Sequence, residues 1–131
     1  MYTFLLAEDY HPDILLFRKA IKELGLPVRL IEVRNGEEAW TKLQTESIDL
    51  IISDLKMPEL GGVDLLKRIN QDSRLKMIPF IIFSNSINPE DIQKAYEHYA
   101  NSYLQKPGLF EDLKELLAKV HDYWLNTNER I

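Results

Sequence analysis

Five polar residues stand where short apolar segments of the chain end, namely Glu8, Asp9, Asp54, Ser84 and Lys106. Three of them are carboxylates, which repel one another when close together and which a divalent cation would keep ionised. A carboxylate can also attack an activated phosphoryl group as a nucleophile. A lysine supplies a positive point charge, and a serine hydroxyl can donate a hydrogen bond to a phosphoryl oxygen. Brought together, these residue types could transfer a phosphoryl group onto an aspartate.

The apolar segments that carry these residues have the length and composition of buried strands. They run from Tyr2 to Ala7, Val28 to Val33, Leu50 to Ser53, Phe80 to Ser84 and Ser102 to Gln105. The third and fourth segments are continuously apolar rather than alternating, which is typical of parallel strands that are buried on both faces. The chain therefore contains five predicted strands.

Apolar residues with helical spacing follow each predicted strand. In the first of these stretches, Pro12 indicates the start of a helix and Gly25 indicates its end. The predicted buried stripes are Ile14, Phe17, Ile21 and Leu24; Ala39, Trp40 and Leu43; Leu65, Leu66 and Ile69; Ile92, Ala95, Tyr96 and Tyr99; and Leu109, Leu113, Leu116, Leu117, Val120 and Trp124. Strict alternation of strand and helix predicts right-handed crossovers and an α/β fold, a flavodoxin-like, doubly wound parallel (βα)5 sheet.

The predicted sheet also explains how distant polar residues could meet. Ligands of doubly wound sheets bind outside the carboxyl ends of the strands, which is where all five polar residues stand. Mg²⁺ suits three crowded carboxylates best, because it is a hard ion that prefers oxygen ligands in octahedral geometry. The imidazole of the nearby His11 is a poor ligand for it. The sequence therefore predicts a magnesium site at one edge of the sheet.

A set of motifs spread along the chain resembles the receiver domain of response regulators. The matching residues are Leu5-Leu6-Ala7-Glu8-Asp9, Ser53-Asp54-Leu55-Lys56-Met57-Pro58, Gly61-Gly62, Ser84, Tyr103 and Lys106-Pro107. The resemblance covers nearly the whole chain and implies a single receiver domain over residues 1–131, with a polar tail that frays from about residue 126. It also implies the strand order 2-1-3-4-5.

The same resemblance assigns a role to each site residue. It makes Asp54 the phosphoacceptor and gives Mg²⁺ four ligands, namely Glu8, Asp9, Asp54 and the backbone carbonyl of Lys56. Ser84 and Lys106 would contact the phosphoryl oxygens, and Tyr103 would turn inward when Ser84 moves toward them. The domain would be a switch rather than an ordinary enzyme, with slow autodephosphorylation at most.

The last third of the chain is similar to single-domain regulators that serve phytochrome-type histidine kinases. This similarity lies in Tyr99, Asn101 to Leu104, Phe110, Leu113 and His121 to Leu125. It implies a sensor histidine kinase or a phosphotransfer protein as the phosphodonor and a further protein as the downstream target. Such regulators often form homodimers through the fourth helix, the fifth strand and the fifth helix.

Composition excludes several other classes of protein. The chain has 131 residues, a net charge of −5 and no cysteine, so disulfide and thiolate sites are impossible and a nucleic-acid partner is disfavoured. The first apolar stretch ends at Glu8, which is too early for a signal peptide or a membrane span. We therefore expect a cytoplasmic protein of one globular domain, with no membrane partner.

Two alternatives remain at this stage. An aspartyl-phosphate hydrolase would need a second acid two residues after the nucleophile, where this chain has Lys56, so this alternative is disfavoured. A pseudo-receiver, which acts as an interaction module without phosphorylation, is the stronger alternative. Asn85 follows Ser84 where receiver domains usually have a small residue, and it could restrict access to the site.

Overall fold

The computed structural model describes residues 1–130 and contains alternating strands and helices. The strands are β1 (Tyr2–Ala7), β2 (Val28–Val33), β3 (Leu50–Ser53), β4 (Phe80–Ser84) and β5 (Ser102–Gln105). The helices are α1 (His11–Leu24), α2 (Gly36–Thr45), α3 (Gly62–Asn70), α4 (Pro89–Glu97) and α5 (Phe110–His121). A 3₁₀ turn spans Leu75–Met77, and a π-helical segment, Asp122–Thr127, continues α5. All five predicted strands are confirmed.

The strands form one parallel sheet in the order β2-β1-β3-β4-β5. This order confirms the flavodoxin-like class and makes β1 and β3 direct neighbours. In the register of the sheet, Ala7 at the end of β1 pairs with both Val33 and Ser53. At the other side, Ser84 at the end of β4 pairs with Gln105 of β5. The residues that follow these strand ends therefore emerge along one edge.

Two apolar layers cover the two faces of the sheet. Helices α1 and α5 pack against one face through residues such as Phe17 and Leu117, together with Phe4 and Ile52 of the strands. Helices α2, α3 and α4 cover the other face, where strand residues such as Leu5 are buried. Burial on both sides explains the continuously apolar strands, since alternate side chains of each strand enter different layers.

The ends of α1 follow the predicted signals. Pro12 lies in the first turn, where its missing N–H group costs no helical hydrogen bond. Gly25 ends the helix in the left-handed conformation, with a φ of 61° that glycine adopts without strain. The N–H of Gly25 also donates to the carbonyl of Lys22.

The predicted fourth helix is present with Ala95 buried, but the placement of Tyr96 and Tyr99 in its apolar stripe is wrong. Helix α4 ends at Glu97, and Tyr99 follows it with a φ of 70° and 77% of its surface exposed. Tyr96 is also exposed, and Ala95 is the buried member of the stripe. Ala95 enters the apolar layer, whereas Tyr96 reaches the edge strand only with its hydroxyl, which accepts a hydrogen bond from the N–H of Tyr103 over 3.1 Å. Leu109 in the fifth stripe is likewise exposed, since it precedes α5.

The segment after α5 packs against the rest of the domain as far as Arg130, and Leu125 is buried in the apolar layer of α1 and α5. The guanidinium of Arg130 lies 3.3 Å from Oδ1 of Asp49 and stacks over the ring of Tyr2. The predicted tail includes Ile131, which lies outside the described residues. Within residues 1–130, no helix combines the length and the apolar character needed to cross a membrane.

Candidate functional site

The carboxyl ends of β1 and β3 bring three acidic side chains into one group. The N–H of Asp54 donates to the carbonyl of Ala7 over 2.8 Å, and the N–H of Glu8 donates to Val33 over 2.9 Å. These backbone bonds extend the sheet by one residue and fix where the side chains begin. Carboxylate oxygens of Glu8, Asp9 and Asp54 then lie within 4.8 Å of one another. The predicted acidic cluster is therefore assembled.

Backbone amides orient two of these carboxylates. Oδ1 of Asp54 accepts a hydrogen bond from the N–H of Leu55 over 2.7 Å, and Oε2 of Glu8 accepts one from the N–H of Tyr10 over 3.2 Å. In each residue the other oxygen is directed to Lys106. The side chains are held in a fixed geometry before any ligand binds, which lowers the cost of ordering them later.

Lys106 contacts three carboxylates with its ammonium group. Its Nζ lies 2.5 Å from Oε1 of Glu8, 2.9 Å from Oδ2 of Asp13 and 3.2 Å from Oδ2 of Asp54. The side chain of Lys106 is only 8% exposed, so these contacts are shielded from solvent. Its backbone N–H donates to the carbonyl of Ser84, which attaches the end of β5 to β4.

Burial and crowding change the proton affinity of these groups. Burial raises the pKa of Glu8 to about 7; a hydrogen bond with Asp54 and the charge of Asp54 add to the rise, while Lys106 opposes it. For Lys106, burial alone would lower the pKa, but hydrogen bonds to Glu8 and Asp13 and the charge of Asp54 outweigh it and raise the pKa. The lysine is therefore charged at neutral pH, whereas Glu8 titrates close to neutrality.

Ser84 is buried at the end of β4 and belongs to a hydrogen-bond network in the loop that follows. Its hydroxyl oxygen accepts from the N–H of Ser86 over 3.1 Å. The hydroxyl of Ser86 donates to Oδ2 of Asp91 in α4 over 2.6 Å. The backbone carbonyl of Ser86 accepts from the hydroxyl of Tyr103 over 2.9 Å. A displacement of Ser84 would therefore alter hydrogen bonds that hold both α4 and β5.

The donor set of the acidic cluster fits a hard divalent cation. It consists of carboxylate oxygens. Burial raises the pKa of Glu8 most, and the neighbouring Asp54 adds to the rise; a bound cation would favour the ionised form against both effects. Nδ1 of His11 instead lies 3.3 Å from the guanidinium of Arg34. Lys56 lies in the loop after Asp54 with an exposed side chain, and the role of its carbonyl stays a prediction.

Sequence reasoning missed Asp13, whose carboxylate lies in the same site. It stands in the first turn of α1, where an acidic residue is common because it interacts favourably with the helix dipole. The helix dipole is a sufficient reason for an acid at this position. Nothing in the spacing indicates that Asp13 also contacts a lysine 93 positions later. Only the tertiary structure, in which the start of α1 and the residue after β5 lie at the same sheet edge, brings the two together.

Gly62 allows the backbone of Asp54 to lie close to the start of α3. A Cβ atom added at Gly62 would lie 2.4 Å from the carbonyl oxygen of Asp54 and 3.2 Å from Oγ of Ser53. The Gly61-Gly62 pair was identified from sequence as a landmark, and the geometry gives its physical reason. The close approach fixes the loop that carries Asp54.

Residues 4–119 match the family model described as "Response regulator receiver domain". This match spans most of the chain. The protein belongs to the response regulator receiver family. Receiver domains are signalling switches rather than conventional enzymes, and the family accounts for an acidic site at the edge of a parallel sheet.

Named relatives of this receiver domain come from different signalling systems. Probable methanogenesis regulatory protein FilR2 of Methanothrix harundinacea is 32% identical, over 97% of this chain and 86% of its own. Response regulator Rcp1 of Synechocystis is 32% identical, over 94% and 88%. The structure of its Mn²⁺-bound form has a TM-score of 0.87, at 30% identity over 100% of this chain and 99% of its own. The phosphorylated cyanobacterial phytochrome response regulator RcpA has a TM-score of 0.91, at 31% identity over 98% and 97%.

The contact at Gly62 yields a prediction about stability. We expect Gly62→Ala to lower the free energy of unfolding by about 1 to 3 kcal/mol, because the backbone of this receiver domain must shift to admit the methyl group. Urea unfolding followed by circular dichroism would measure the change. Gly108→Ala is the matched control, since a Cβ atom there meets nothing within 4 Å. Equal stability of the two variants would contradict the proposed steric role.

Proposed function

We propose that this receiver domain is a stand-alone response regulator that accepts a phosphoryl group on Asp54. The observation that carries the proposal is the contact of the buried Lys106 ammonium with both Asp54 and Glu8 at the edge where Asp9 also lies. A nucleophile, a cation-binding group and a fixed positive charge are thereby within reach of one phosphoryl group. This combination suits phosphoryl transfer, in which positioning and charge stabilisation supply most of the catalysis.

The proposed step is a displacement at phosphorus. Oδ2 of Asp54 forms a new P–O bond as the P–N bond of a phosphohistidine breaks, and the electron pair of that bond stays on the leaving imidazole nitrogen. Lys106 donates to one phosphoryl oxygen, and the hydroxyl of Ser84 donates to another after it leaves Ser86. The product is an acyl phosphate, which adds a charge of about −1.5 to −2 to the sheet edge.

Glu8, Asp9 and Asp54 would hold a Mg²⁺ ion, with the carbonyl of Lys56 as a further ligand. The acidic cluster and the existence of a Mn²⁺-bound form of the relative Rcp1 support this assignment. When bound, the ion neutralises charge on the phosphoryl oxygens. The residues of the chain orient the carboxylates, and their backbone hydrogen bonds supply that orientation.

Phosphorylation would be transmitted through the network around Ser86. When Ser84 turns toward the phosphoryl group, it gives up the hydrogen bond from the N–H of Ser86. Ser86 also holds Asp91 and Tyr103, so both α4 and β5 lose part of their present anchoring. Contacts that exist only in the phosphorylated state shift the population between two arrangements of this surface.

The partner that fits this cycle best is a sensor histidine kinase of the phytochrome type, or a phosphotransfer protein. The likeness to RcpA and Rcp1 supports this class of phosphodonor. A further protein would read the surface formed by α4, β5 and α5, where Tyr96 and Tyr99 are exposed. The same surface would serve a homodimer, and the cycle would take place in the cytoplasm.

A pseudo-receiver that works without phosphorylation is the second candidate. Asn85 favours it, because this exposed residue follows Ser84 at the edge of the site and takes up space there. The contacts of Lys106 disfavour it, since a module without phosphoryl chemistry has no need for a buried lysine among three carboxylates. The two candidates differ in a single measurable property, the ability of Asp54 to gain phosphate.

The first test is therefore direct phosphorylation. With Mg²⁺ and acetyl phosphate, we expect the wild type to gain about 80 Da and the modified peptide to contain Asp54. Intact mass and peptide mapping would measure both. Asp54→Asn should gain nothing, whereas Asp64→Asn in α3 is a control that should be modified normally. A wild type without the adduct would favour the pseudo-receiver.

The raised pKa of Glu8 predicts how Mg²⁺ binding depends on pH. Because Glu8 keeps its proton up to about pH 7, the ion must displace that proton at lower pH, and affinity should fall as pH decreases through about 7. We expect a loss of about fivefold to tenfold between about pH 8 and about pH 6, measured by calorimetry. The variant Glu8→Gln should bind Mg²⁺ more weakly, and its affinity should not depend on pH in this range. His11 is unchanged in this variant, so the comparison isolates Glu8. A constant affinity in the wild type would refute the proposed proton competition.

The identity of the phosphodonor can be tested by transfer. An autophosphorylated phytochrome-type histidine kinase carrying labelled phosphate should pass the label to the wild type and leave Asp54→Asn unlabelled. The expected rate exceeds that with acetyl phosphate, because a docked kinase holds the phosphohistidine in line with Asp54. Label that stays on the kinase, while acetyl phosphate still modifies Asp54, would exclude that kinase class as the donor.

A further inference from the structure

We infer that Asp13 is a positioning residue that keeps Lys106 available for the phosphoryl group. This inference rests on the proposed function and extends it to a residue outside the predicted site. Oδ2 of Asp13 accepts from Nζ of Lys106 over 2.9 Å, which is shorter than the contact of Nζ with Asp54. Asp13 is thus one of the two nearest anions to the lysine.

Lys106 has as many N–H donors as it has carboxylate neighbours, and Asp13 is one of those neighbours. An ammonium group has three N–H donors, and the three carboxylates Glu8, Asp13 and Asp54 each lie within 3.2 Å of it. No donor is left for a phosphoryl oxygen unless one of these contacts is released. Which contact is released therefore decides where the ammonium group lies during phosphoryl transfer.

The three carboxylates differ in what a cation does to them. Glu8 and Asp54 belong to the group whose oxygens lie within 4.8 Å of one another, together with Asp9, and Asp13 does not. A cation bound by that group would draw on two of the anions that hold Lys106. Asp13 is the partner that the cation leaves free, so it keeps its contact with Lys106 while Glu8 and Asp54 bind the cation.

Asp13 is also attached to a different part of the fold. It stands in the first turn of α1 beside Pro12, and its side chain is 27% exposed. Its N–H donates to the carbonyl of Tyr10, which fixes the start of the helix. Lys106, by contrast, follows β5. The ion pair therefore joins the start of α1 to the residue after β5 and holds Nζ through an element other than the strand ends that carry Glu8 and Asp54.

Loss of Asp13 should move Lys106 deeper into the acidic cluster. With two anions left, the ammonium group would pair more closely with Glu8 and Asp54, where it competes with Mg²⁺ and covers the nucleophilic oxygen. For Asp13→Asn we expect Mg²⁺ affinity to fall about fivefold, and the phosphorylation rate at saturating Mg²⁺ to fall by a similar factor. Calorimetry measures the first quantity, and intact mass over time with acetyl phosphate measures the second.

A double-mutant cycle separates positioning from a bare charge effect. In a Lys106→Met background, Asp13→Asn should change Mg²⁺ affinity by less than about twofold, because the lysine that it acts through is gone. Asp64→Asn is the control in the native background. Asp64 also lies in the first turn of a helix, α3, and pairs with a lysine, but its partner is Lys67 and not Lys106. Asp13→Glu should recover part of the lost rate.

The outcomes distinguish this inference from the proposed function. A similar loss of Mg²⁺ affinity in both backgrounds would overturn the inference, because Asp13 would then act as a negative charge and not through Lys106. Unchanged affinity and rate in Asp13→Asn would overturn it as well. A wild type that binds Mg²⁺ but gains no phosphate would end the proposed function, while the calorimetric cycle would still test the contact between Asp13 and Lys106.

Discussion

The electrostatic balance between Lys106 and the carboxylates around it is the constraint on which this site depends. Like charges this close cannot all stay ionised in a partly buried place without a cation, and here the lysine supplies one from within the chain. Its compensation is incomplete, since burial, together with the neighbouring Asp54, still raises the pKa of Glu8 to about 7. The site therefore retains a demand for further positive charge, which a divalent ion can meet.

The fold supplies this balance by placing strand ends side by side. Neighbouring parallel strands β1 and β3 present their acids at one edge, and β4 and β5 present Ser84 and Lys106 at the same edge. Apolar layers on both faces keep the sheet rigid, and Gly62 lets α3 start against the loop of Asp54. A rigid frame matters because charge pairs at these distances change in energy with small displacements.

The side of the domain formed by α4 and β5 is less tightly packed and can change with the state of the site. Ser84, Ser86 and Tyr103 connect the site to α4 and β5 through a chain of hydrogen bonds. Helix α4 contributes little burial beyond Ala95, and the tyrosines near its end are exposed. Few buried contacts mean a low cost of local rearrangement, so this side suits a surface that changes with the state of the site.

The sequence by itself determined the five strands, the α/β class and the acidic cluster of Glu8, Asp9 and Asp54, because continuous apolar runs and strand-end polar residues depend on local order. In the stripe of α4 the two tyrosines were misplaced, since exposure of Tyr96 and Tyr99 depends on how far a short helix reaches over an edge strand. Only the tertiary structure decided that Asp13 holds Lys106. That ion pair joins residues 93 positions apart, at the start of α1 and just after β5, and no periodicity or motif encodes such a contact.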